Sequence, residues 1–258
     1  MGSRTAQLQA FERLLDIMDE LREKCPWDRK QTFETLRHLT IEETYELGDA
    51  ILDNDLEEIK KELGDLLLHI VFYSKIGSEK KAFDIADVAN QISDKLIQRH
   101  PHIYGETDVE NADQVVKNWE DIKLKEGKKS VLEGVPKSLP ALVKAYRIQD
   151  KVSGVGFDWD QKEAVLEKVK EELDELRTEI DAGDSKKMEA ELGDVMFSLV
   201  NYARFLKVSA ENALERTNKK FIKRFNYIEE KAKKSQRKVS ELSIEEMEVL
   251  WQEAKKTE

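Results

Sequence analysis

Glu43 and Glu46, followed by Glu62 and Asp65, form two carboxylate pairs spaced i and i+3, with fifteen residues between Glu46 and Glu62. Glu172, Glu175, Glu191 and Asp194 repeat the device 129 positions later with the same spacer. Residues three apart on a helix share a face, so each pair presents its carboxylates together. Asp53-Asn54-Asp55 and Ala182-Gly183-Asp184 carry turn chemistry midway along the two spacers. At roughly 1.5 Å rise per residue, each arm runs about 12 Å from its bend. Four carboxylates then face one another across an antiparallel helix pair. Such a group repels itself unless a cation sits within it, and all-oxygen ligation suits Mg²⁺ or Mn²⁺.

A single Glu-Glu-x-x-Glu reads as a solvated helix face paired with lysines at i+4. The duplication favours a metal site instead, and so do the runs that follow Asp65 and Asp194. Residues 66–72 and 195–200 are apolar almost all round and are expected to be buried, where an unpaired carboxylate is costly. Gly64 and Gly193 stand mid-helix at about 1 kcal/mol each relative to Ala, which implies close packing beside the site.

The elements that carry these acids read as helices. Residues 6–24 place Leu8, Phe11, Leu14, Leu15, Met18 and Leu21 at helical spacing. Cys25-Pro26-Trp27-Asp28 breaks that helix, and the next starts near Thr32 and runs towards Ile51. Asp55 followed by Glu58 resembles a capping box that opens a helix through Ile76, with Gly77-Ser78 at its end. Another helix spans about 83–99 and stops at His100-Pro101. A segment at 111–125 carries Trp119. After a Gly- and Pro-containing stretch at 127–140 the order recurs, through residues 195–206, a helix carrying Lys220 and Phe225, and Trp251. The expected fold is all-α, in two tandem helical bundles related by internal duplication: 1–126, a linker at 127–140, and 141–258.

A chain of 258 residues accommodates two such domains. The formal charge of −11 is gathered in acidic clusters, which disfavours binding to nucleic acid. Cys25 is the only cysteine, so no internal disulfide forms, and the sequence shows neither a signal-peptide pattern nor a membrane span. The expected location is the cytoplasm.

Glu-Glu-x-x-Glu, fifteen residues, then Glu-x-x-Asp resembles the signature of the MazG nucleoside triphosphate pyrophosphohydrolases. Cys25-Pro26-Trp27-Asp28 and the segment Thr217–Phe225 are similar to the full-length, two-domain members, and the match runs from about residue 10 onward. The resemblance implies a helical bundle in each domain, a homodimer, and Mg²⁺-dependent cleavage of nucleoside triphosphates between the α- and β-phosphates to NMP and pyrophosphate. It implies that Glu172, Glu175, Glu191 and Asp194 hold metal, with Glu43, Glu46, Glu62 and Asp65 as the matching set. Glu171 or Glu172 is then placed to take the proton of the attacking water. Lys220 and Arg224 are placed to stabilise the departing pyrophosphate, and Trp251 to stack on a base with Lys255 one turn on. Lys95, Arg99, Trp119 and Lys123 are their first-copy counterparts. Lys168, one turn before Glu172, is either a phosphate contact or a salt-bridge partner. It stands where the first copy has Leu39, so the second copy is the expected principal site.

Two alternatives differ in kind. A di-iron carboxylate bundle wants paired Glu-x-x-His motifs, but Asp65, not His, follows Glu62, and His69 becomes Ser198 in the repeat. A non-catalytic helical protein that senses nucleotides or metals and binds a partner would use the same acids without turnover.

Overall fold

The structure is a computed structural model that describes residues 2–109, 111, 114–115, 118–119, 122 and 130–256. Among these residues every regular element is helical. The chain divides into two compact units, Met1–Asn111 and Ala112–Glu258.

In the first unit, α1 (Arg4–Lys24) starts at Ser3, whose hydroxyl accepts from the Ala6 amide. Thr32 and Thr35 cap α2 (Phe33–Asp53) reciprocally, each side chain accepting from the other's backbone amide. The bend to α3 (Leu56–Glu79) is built from two adjacent residues. Asn54 adopts the left-handed conformation at φ 54°, and Asp55 accepts from the Glu57 and Glu58 amides. The second unit reproduces this bend between α7 (Lys162–Ala182) and α8 (Ser185–Phe205), with Gly183 at φ 74° and Asp184 capping Lys186 and Lys187. The four bend residues keep the same 129-residue offset as the acids.

Met18, Leu36, Val71, Phe72 and Ile76 form the core of the first unit, where α1, α2 and α3 meet. Arg22 secures the corner after α1. It ion-pairs with Glu79, donates to the Asp28 and Gln31 carbonyls, and lies over the Phe72 ring at 5.5 Å. Helix α4 (Ile85–Arg99) is capped reciprocally by Asp84 and Asp87, and Pro101 opens the short α5 (Pro101–Tyr104). In the second unit α6 (Ala141–Ser153) packs on α8 and on α9 (Ala210–Lys234), and α10 (Ile244–Lys256) packs on α9. Val165, Val169, Val195, Val200, Ile228, Ala232 and Ala254 are its buried apolar residues. The Lys151 ammonium donates to the Val131 carbonyl and ties the segment before α6 to that helix.

Four expectations change. Gly77 does not end α3. The helix continues to Glu79, and a Cβ at Gly77 would meet the Phe83 ring at 2.7 Å, so this glycine admits an aromatic ring instead. Glu58 pairs with Lys61 rather than closing a capping box. The apolar runs are buried on one side only: Leu67, Ile70, Met196, Phe197 and Leu199 are exposed. Finally, a Cβ on Gly64 or Gly193 meets nothing within 4 Å among the described residues, so neither marks close packing against them. The segment 111–125 and the start of the linker lie largely outside the described residues.

The capped bends set the register of both acidic hairpins. Asp55→Ala or Asp184→Ala should each cost about 1 kcal/mol of stability, read as a lower midpoint in urea denaturation. Unchanged midpoints in both variants would remove the caps from the account.

Candidate metal site and adjoining cavity

Each hairpin brings three carboxylates together. Glu43, Glu46 and Glu62 each offer an oxygen within 4.8 Å of the others, and Glu172, Glu175 and Glu191 do the same. The most deeply placed acid differs between the copies: in the first it is Glu62 on α3, 1% exposed, and in the second Glu172 on α7, 7% exposed. Asp65 and Asp194 stand outside these groups of three but next to them. Asp65 acts electrostatically on Glu43, and Asp194 on Glu191.

The electrostatics follow from this crowding. Partial burial, then the charges of Asp65 and Glu46, raise the Glu43 carboxyl above the ordinary carboxylate range. Burial and Glu62 raise Glu46, and burial with Glu175 and Asp194 raises Glu191. Glu62 is lowered, because Lys61 donates to its Oε1 at 2.9 Å, yet its buried Oε2 has no partner. In the second unit Lys168 reaches both Glu171 and Glu172 at 2.9 Å, and those acids hold its ammonium well above the usual lysine range. Raised acids and an orphaned buried oxygen describe a group short of positive charge. The donor set is all carboxylate and fits a hard divalent cation.

A cavity of about 300 Å³ adjoins the second group, with Lys168, Glu172 and Asp194 on its wall. The size suits a small ligand. Sequence reasoning missed the remainder of its polar lining. Gln149 donates to the Phe197 carbonyl at 2.8 Å, and Asn201 accepts from Arg204 Nε and Nη2 at 3.1 and 2.9 Å. Arg204 is held in turn by Asp158 at 2.5 Å, and both residues line the cavity as well. The available signal was Gln149 and Asn201 standing as polar residues inside buried helix stripes.

The expected phosphate and base contacts lie on α9 and α10 and do not line this cavity. Arg224 lies over the Trp251 ring at 5.3 Å, and Phe221 meets the same ring at 5.0 Å. Lys220 and Lys255 are exposed. In the first unit Lys95 and Arg99 stand in the last two turns of α4; Trp119, which falls beyond Asn111 in the second unit, is half-buried. Lys123 lies outside the described residues.

The raised acids make a stability prediction. A carboxyl with a raised folded-state pKa stabilises the fold below its unfolded pKa and loses that contribution as pH rises through the folded value. The metal-free protein therefore carries more of this repulsion at neutral pH than in acid. Glu191→Gln should raise its melting temperature at pH 7 and leave it unchanged near pH 4. Mg²⁺ should stabilise the unaltered protein more than the variant. A lower melting temperature for Glu191→Gln at pH 7 would contradict this.

The model of the MazG nucleotide pyrophosphohydrolase domain matches the chain twice, at residues 31–104 and 160–228. The chain is 42% identical to a nucleoside triphosphate pyrophosphohydrolase of Escherichia coli strain K12, over 97% of this chain and 99% of that one. It is 45% identical to the nucleoside triphosphate pyrophosphohydrolase/pyrophosphatase MazG of Thermotoga maritima, over 95% of both. It is also 44% identical to the YabN protein of Bacillus subtilis, over 96% of this chain and 52% of that protein.

Proposed function

The chain belongs to the MazG nucleotide pyrophosphohydrolase family, and we propose that it hydrolyses nucleoside triphosphates, ATP among them, to NMP and pyrophosphate with the help of Mg²⁺ or Mn²⁺. The observation that carries this reading is the convergence of Glu172, Glu175 and Glu191 beside a cavity of about 300 Å³ that Lys168 and Asp194 also line. These three acids, with Asp194 adjoining, would hold the metal. Bound there, the metal supplies Lewis-acid polarisation of a phosphoryl oxygen and of water.

The chain's own groups do the rest. Glu171 or Glu172 accepts the proton of the attacking water. Lys168, which here pairs with Glu171 and Glu172, would contact a phosphate oxygen of the substrate. Lys220 and Arg224 compensate charge on the leaving pyrophosphate, and Trp251 with Lys255 borders the substrate. The second unit is the principal site, because the first has Leu39 where Lys168 stands and packs Leu36 and Phe72 into its core where the second has the cavity residues Val165 and Asn201. Lys95, Arg99, Trp119 and Lys123 are the first-copy set. The repeats divide as domains 1–126 and 141–258, joined by 127–140.

The working assembly is a homodimer in the cytoplasm. Among the described residues no helix is long and apolar enough to cross a membrane. Leu63, Leu67 and Ile70 on α3, and Leu192, Met196 and Leu199 on α8, are each between 39% and 52% exposed. Apolar stripes of this kind mark interfaces. They sit on the same helices as Gly64 and Gly193, whose open Cβ directions leave room for a second chain.

Product analysis with nucleoside triphosphates and Mg²⁺ tests the activity. NMP and pyrophosphate should form, vanish with EDTA, and fall by roughly a hundred-fold or more in Glu172→Gln, while Glu43→Gln retains most turnover. Nucleotide binding without products would move the reading to a non-catalytic sensor. For the assembly, light scattering should give two chains for the unaltered protein and a single chain for the double variant Leu67→Lys, Met196→Lys. A dimer unaffected by both substitutions would place the interface elsewhere.

A further inference from the structure

We propose that the cavity beside Glu172 and Asp194 is a nucleobase pocket in which the side-chain amides of Gln149 and Asn201 read the hydrogen-bonding edge of the base. This deepens the reading above and rests on it.

Gln149 and Asn201 are 4% and 5% exposed, and both line the cavity. The amide of each is oriented by a neighbour. Gln149 spends its Nε2 on the Phe197 carbonyl, which leaves Oε1 as a buried acceptor with no partner. Asn201 has its Oδ1 taken by two nitrogens of Arg204, itself fixed by Asp158, so the Asn201 amino group is the half left to donate. A buried acceptor without a partner is costly and calls for an explanation. Here it would be met by a ligand N–H. One acceptor and one donor, each locked in orientation, complement the donor–acceptor pairing along a base's Watson–Crick edge.

The cations of the cavity divide between the parts of a nucleotide: Lys168, beside Glu172, is placed for a phosphate oxygen, while Arg204 is engaged by Asp158 and Asn201. Val152, Val165, Phe197 and Trp159 give the cavity apolar and aromatic walls suited to a flat ring. Glu172 and Asp194 stand at the same cavity, so a base bound within leaves its triphosphate beside the acids.

The first unit provides an internal comparison. The residues 129 positions before Val165, Lys168, Phe197 and Asn201 are Leu36, Leu39, Leu68 and Phe72. Leu36 and Phe72 belong to the buried core there, and Leu39 and Leu68 pack against it. The first unit has the acids but fills the equivalent space with its own side chains, so base recognition belongs to the second unit.

The test compares ordinary nucleoside triphosphates with ribose 5′-triphosphate, which lacks the base, using the unaltered protein, Gln149→Leu and Asn201→Phe. The unaltered protein should show a KM at least about ten-fold higher for the base-less substrate. Gln149→Leu should raise KM for nucleotides about ten-fold with little change in kcat, leaving the base-less substrate unaffected. Asn201→Phe, which places in the second unit the side chain of the first, should erase the difference between the two substrates. Equal KM values for both substrates with the unaltered protein would overturn the pocket, and that comparison depends on no variant folding. Absence of all turnover would instead overturn the pyrophosphohydrolase reading. The pocket would then stand or fall on the same pair of ligands compared by equilibrium binding.

Discussion

Three carboxylates with oxygens held within 4.8 Å of one another repel, and each unit of this protein holds one such group. The rest of the structure can be read as the means of holding it. Two helices must run antiparallel at fixed register, so a left-handed residue and a capping aspartate close the bend within two positions, Asn54-Asp55 in one hairpin and Gly183-Asp184 in the other. The buried acids Glu62 and Glu172 must be withdrawn from water, so the helices are packed from behind by α1 or α6. Lysines offset part of the charge, Lys61 from one residue before Glu62 and Lys168 from one turn before Glu172. What they leave uncompensated is the opening for a divalent cation.

Duplication has let the two copies diverge behind a shared front. Both keep the acid triads. Behind them the first copy has become core, with Phe72 and Leu36 packed on Met18, while the second keeps a cavity floored by amides. The division is economical in physical terms. Filling one cavity with apolar side chains stabilises a unit through burial, whereas keeping the other open preserves the recognition surface.

The hairpins were legible in the sequence because they depend on local rules. Carboxylates spaced i and i+3, turn residues at the midpoint and a constant offset fix the geometry without knowledge of anything distant. The cavity was not legible in that way. Gln149 lies on α6 and Asn201 on α8, and only the packing of those helices makes their amides neighbours of Glu172. Hydropathy also misjudged Leu67, Ile70, Met196 and Leu199, because an apolar residue signals burial without saying whether its own chain or another provides it. Gly64 and Gly193 misled for the same reason: a mid-helix glycine implies a close neighbour, and none lies among the described residues.

The most direct measurement is a titration of the protein with Mn²⁺ followed by electron paramagnetic resonance, in the unaltered protein, Glu62→Gln and Glu172→Gln. The account predicts saturable binding to both units, with each substitution removing the binding of its own unit and sparing the other. Absence of saturable binding, or binding that survives both substitutions, would contradict the claim that the converging carboxylates exist to hold a cation.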